Sequence, residues 1–170
     1  MNLSLLIMRL LHIGLGVFWA GTVVFSAIFL FPSIVDAGPE GAKVGAALNR
    51  RRFMQIMPVV AGLTILSGLW LYWKVSGGFQ PAFMRSGMGI TIGLGATAAI
   101  LAFLVGVVVM RPAMTRAANL AQSAAQGAPE ERQAVLMSAL ASRQRGIRAG
   151  QVVAVLVALA VTAMALARYI

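Results

Sequence analysis

Of the 170 residues in this chain, 60% are hydrophobic and 11% charged, whereas a soluble domain carries about 25% charged residues. Cysteine is absent, which excludes disulfides, thiolate metal sites, iron–sulfur clusters and covalently attached c-type haem. The net charge of +10 is assigned to arginines that flank membrane spans and face anionic lipid, and not to nucleic acid.

The first predicted span is Leu10–Phe31, which holds the stretch "LHIGLGVFWAG" (Leu11–Gly21) and the only histidine, His12. No cleavable signal peptide is expected ahead of it, because a basic cluster and a small-x-small cleavage site are both missing. A connection, "AGPEGAKVGAALNRRR" (37–52), leads to the second span, Phe53–Trp73, where Pro58 is expected to kink the helix by removing a hydrogen bond. The third and fourth spans are Gly87–Met110 and Gly150–Leu166. All four runs lack carboxylates. Each is about 20 residues long, enough to cross a hydrocarbon core of about 30 Å.

Between the last two spans lies "GAPEERQAVLMSALASRQRGIR" (127–148). Like the first connection, it opens on Pro-Glu, and both residues suit a first helical turn. Ala113, Ala117, Leu120 and Ala124 follow one helix face, and Leu136, Leu140 and Ile147 follow another. The reading is an antiparallel helical hairpin over about 112–148, turning at Gly127-Ala128-Pro129 and standing out of the membrane. A charged strip lying on the lipid surface is the competing reading.

Four spans put both termini on one side. Arg9, Lys74, Arg85 and Arg168 fall there, against ten basic residues on the other side. The positive-inside rule therefore makes the connections cytoplasmic and the termini periplasmic, in a bacterial inner membrane. Trp70, Tyr72, Trp73 and Tyr169 are expected in the outer aromatic belt.

"IGLG" occurs at Ile13–Gly16 and again at Ile92–Gly95, followed after 16 and 17 residues by Pro32 and Pro112. Pro39-Glu40 and Pro129-Glu130 come next in each copy, which suggests two parallel helical-hairpin repeats. Small-residue faces suit close helix crossings: Gly16 with Ala20, Gly89 with Gly93 and Thr97, Gly95 with Ala99, and Ala154 with Ala158. The expected fold is all-α. A single four-span transmembrane domain covers 1–170 as a four-helix bundle with a cytoplasmic helical hairpin extension.

All four acidic residues, Asp36, Glu40, Glu130 and Glu131, lie in the connections. The spans thus lack the ionisable groups that proton- or ion-coupled transport uses. No Ser-His-acid set, metal cluster or phosphate-cradling loop can be assembled either.

His12 has two readings. Its imidazole can hydrogen-bond a neighbouring helix backbone or a threonine, or it can be a ligand to a metal, to haem iron or to the magnesium of a chlorophyll-type pigment. As a cofactor-binding set, Gly16 one turn on leaves room for a flat ring and Trp19 two turns on packs against it. A second axial ligand can come only from methionine, with Met84, Met88 and Met164 near the same level. Met8, on the same helix as His12, cannot face it across a ring.

Leu11-His12 followed by Trp19-Ala20-Gly21 resembles the first span of small bacterial four-helix membrane proteins. These include CopD-like copper-resistance domains and haem-binding membrane protoporphyrinogen oxidases. The resemblance implies a bundle and a haem site at His12. In the oxidase type a Pro-Arg pair and a further histidine follow, where this chain has Phe31-Pro32-Ser33, so no catalytic residue carries over.

The function expected is that of a non-catalytic accessory or structural subunit of a larger membrane complex, respiratory or photosynthetic in type. Its partners are the lipid bilayer, other membrane subunits and anionic lipid at the cytoplasmic arginines. The alternative is a small haem- or metal-binding redox protein built on His12, with haem b or a chlorophyll-type pigment as its cofactor.

Overall fold

The computed structural model describes residues 2–126 and 128–170, the side chains of Pro129 and Glu130 excepted. Helix α1 (Leu3–Phe25) passes through a π-helical turn, Ser26–Leu30, into α2 (Phe31–Asp36). Next come α3 (Gly38–Arg50), α4 (Phe53–Val75), the short α5 (Pro81–Met84) and α6 (Gly87–Val105). A second π-helical turn, Gly106–Met110, joins α6 to α7 (Arg111–Gln126). The last helix, α8, runs from Pro129 to Leu166 and closes in a 3-10 turn, Ala167–Tyr169. Four helical stretches, Leu3–Asp36, Phe53–Val75, Gly87–Gln126 and Glu131–Tyr169, are long and apolar enough to cross a membrane.

Local chemistry sets the ends. Gly38, at φ +56°, turns the chain into α3, where Pro39 sits in the first turn and Glu40 complements the helix dipole. Arg52 takes a left-handed conformation, φ 57°, between α3 and α4. The Ser86 hydroxyl caps α6 by accepting the Gly89 N–H at 3.1 Å. Helix α4 continues through Pro58, whose missing N–H leaves the Met54 carbonyl without its usual donor.

Helix α1 packs on α4 and α8, and α6 packs on α8 and α4. The result is an up-down-up-down four-helix bundle. Its core is Trp19, Val60, Ala61, Ala99, Ala102, Val153, Val157 and Ala160. Small residues face inward while Leu10, Leu63, Leu66, Leu94 and Leu101 face outward. That inversion suits lipid, where packing and not water expulsion joins helices. Helices α6 and α8 cross closely at Gly95, where a Cβ would lie 3.2 Å from the Ala160 carbonyl oxygen. Gly95 and Ala99 thus pack as expected. Ala158 and Thr97 do not, being exposed, and α8 instead buries Ala149, Val153, Val157 and Ala160.

The two halves correspond beyond the IGLG pair. Each π turn ends two residues before a proline, Pro32 in one copy and Pro112 in the other. A proline ring clashes with the carbonyl four residues back and supplies no N–H, and widening the preceding turn relieves both faults. The copies differ after Pro39 and Pro129. The first half breaks at Arg51-Arg52, whereas α8 runs unbroken through Arg143, Arg145 and Arg148.

Helices α7 and α8 form the expected antiparallel hairpin, with Gly127 of its turn outside the described residues. Ala113, Ala124, Ala139 and Ala149 are buried between them. Arg132 Nε donates to the Ala124 carbonyl at 3.1 Å. Of the leucine face on α8, Leu136 and Leu140 are exposed. The Met114 side chain fills the space over Gly146, where a Cβ would lie 2.6 Å from its Sδ.

Candidate functional site

One face of α1 carries His12, Gly16, Trp19 and Val23 and continues to Ser26 at the start of the π turn, spaced alternately four and three residues apart as on an inward helix face. His12, Gly16 and Trp19 line one cleft of about 610 Å³, measured to its open side. Its other walls include Thr64, Gly68 and Tyr72 of α4, Ala96 and Ala99 of α6, and Val157, Ala160 and Met164 of α8. The structure thus brings together the three residues singled out in sequence. Of the methionines considered as partners, Met164 lines the cleft with His12.

The imidazole is oriented by α4. His12 Nδ1 lies 2.8 Å from the Thr64 carbonyl oxygen. A carbonyl only accepts, so Nδ1 carries the proton and donates it. In the neutral ring Nε2 then keeps its lone pair, and no hydrogen bond to Nε2 occurs among the described residues. The ring rests on Gly68, where a Cβ would lie 2.6 Å from His12 Cε1. Ser67 Oγ stands 3.4 Å from Nδ1 and donates to the Leu63 carbonyl at 2.7 Å. Gly16 abuts α4 directly, since a Cβ there would meet Thr64 Cγ2 at 3.5 Å. Trp19 is 6% exposed and forms the inner end of the cleft.

Tyr72 is corrected from its expected place in the aromatic belt. It is buried, its hydroxyl donates to the Gly89 carbonyl at 2.7 Å, and its ring meets Phe79 edge-on. Trp73 and Tyr169 are exposed, and Lys74 Nζ sits 4.6 Å from the Trp73 ring centre.

No group of three or more metal-ligating side chains occurs among the described residues. His12 therefore offers one donor atom, Nε2, and not a protein-enclosed metal site. A neutral imidazole held through its other nitrogen by a carbonyl is the usual state of a histidine that ligates.

A second feature lies on the hairpin. Leu136, Met137 and Leu140 are 43%, 63% and 56% exposed, on a stretch of α8 that also carries Arg132, Arg143 and Arg145. Sequence spacing placed Leu136 and Leu140 on one helix face, and Met137 was not singled out.

Compared with known protein families, curated proteins and solved structures, the chain matches none.

Proposed function

We propose that the chain is a non-catalytic integral membrane subunit of a larger complex of respiratory or photosynthetic type. In this reading it sits in a bacterial inner membrane with both termini periplasmic. The observation that carries it is the exposed stripe Leu136, Met137 and Leu140, on a helical hairpin outside the expected spans. Lipid has no reason to cover it there, and exposed contiguous apolar side chains mark contact surfaces. The neighbouring arginines favour a partner with acidic groups and anionic lipid headgroups.

The test is copurification. Replacing Leu136 and Leu140 with serine leaves both side chains outside the α7–α8 seam. The double variant is therefore expected to reach the membrane folded but to lose its partner subunits. Retention of those subunits at the wild-type ratio would sink the docking role.

The second reading, a small haem-binding redox protein, is favoured by the free Nε2 of His12 and by Met164 on the same cleft. The Leu11–Gly21 resemblance points the same way. His12 would hold the group, Gly16, Gly68 and Trp19 would shape its seat, and the group would supply one-electron transfer or light absorption. Titrating haem into the purified protein discriminates the two readings. A saturable Soret shift at one haem per chain that His12→Ala removes supports this reading, and a shift unaffected by His12→Ala contradicts it.

A further inference from the structure

Below Trp19, on the hairpin side, lies a second cavity of about 650 Å³, measured to its open side. Trp19 is the one residue lining both it and the His12 cleft. Both π turns contribute to its wall, one through Ser26 and Ala27 and the other through Gly106, Val107 and Met110. A π turn carries one residue more than the regular helix, and such turns are frequent at functional sites.

Ser26 is 3% exposed, and its Oγ is the only buried side-chain polar atom without a partner among the described residues. Four Ser and Thr hydroxyls within the spans return their proton to the same helix. Thr64 donates to Val60, Ser67 to Leu63, Thr91 to Gly87 and Thr97 to Gly93. Leaving a buried hydroxyl unmatched costs about 1–3 kcal/mol, so the Ser26 hydroxyl calls for an acceptor from outside the protein.

We infer that this cavity binds a neutral, lipid-soluble quinone, with Ser26 Oγ donating to a quinone carbonyl. Two features select that class. The only charged residue on the wall, Arg111, is exposed, so the enclosed part admits no ion. Trp19, Phe31, Phe53 and Phe103 line the space and offer ring faces and edges to a flat π-system. The inference does not rest on the His12 reading.

The experiment uses the full chain in detergent with Trp70 and Trp73 changed to phenylalanine, so that Trp19 is the only remaining fluorophore of its kind. A short-chain benzoquinone is the probe, and quenching of Trp19 emission is read. Saturable quenching is expected. Ser26→Ala is expected to weaken it about fivefold, one neutral hydrogen bond. Gly106→Leu, which fills the cavity, is expected to abolish saturation. His12→Ala leaves the affinity unchanged, which keeps this result separate from any failure of the haem reading. Linear, unsaturable quenching overturns the proposal, as does an unchanged affinity in Ser26→Ala. Equal competition by decanol also overturns it, since the space would then be an acyl-chain pocket.

Discussion

At the scale of single residues, the hydrogen bond from His12 to α4 decides what the histidine can do. Its Nδ1–H is committed to the Thr64 carbonyl, which fixes the ring and frees Nε2. Gly68 permits this by presenting no Cβ to the ring. Gly68→Ala is therefore expected to displace the imidazole. Helix propensity favours the alanine by up to about 1 kcal/mol, so thermal stability should change little, while under the haem reading the haem titration weakens at least tenfold. Unchanged haem affinity in that variant would show that the ring position is immaterial. His12, Gly16 and Trp19 were legible in sequence because a lone histidine between glycines is conspicuous. Its acceptor was not, because a backbone carbonyl has no letter of its own. Ser26 lies on the same face seven residues past Trp19 and was visible by spacing. It went unremarked because a serine in a span normally bonds its own helix.

At the scale of elements, burial along α7 and α8 departs from the apolar pattern. Leu136, Leu140 and Ile147 share one spacing, yet Leu136 and Leu140 are exposed and Ile147 half-buried, while Ala113, Ala124, Ala139 and Gly146 are buried and Met114 lies against Gly146. The upright hairpin, as opposed to a strip lying on lipid, makes a direct prediction. The chain has no cysteine, so the double variant Met114→Cys, Gly146→Cys carries the only thiols. Mild oxidation is expected to join them in high yield within one chain, visible as a faster-running band without reductant. Failure to cross-link would favour the surface strip. The π turns were not legible from periodicity, although the prolines that follow them were. The repeat spacing differs by one residue between copies, yet both copies place the widened turn at the same distance from proline.

At the scale of the whole molecule, small residues inside and leucines outside make a bundle suited to lipid, with an arginine-rich hairpin at the end away from both termini. The charge imbalance between the two ends predicts the orientation. In intact cells, a membrane-impermeant maleimide is expected to label Ser4→Cys and to spare Ser123→Cys until the membrane is opened. The reverse pattern would invert the topology. The four-helix architecture was readable from hydropathy alone, because each span needs only length and the absence of charge. Which faces meet was only partly readable: Gly95 and Ala99 pack as their spacing suggests, and Ala158 does not.

The most direct measurement is the size and composition of the particle that this chain occupies when gently solubilised from its native membrane, with its absorption spectrum recorded alongside. The account predicts a particle several times larger than one chain, containing other subunits that stay bound through purification. A chain that runs alone would contradict it. If that lone chain also carried a Soret band that His12→Ala removes, the redox reading would take its place.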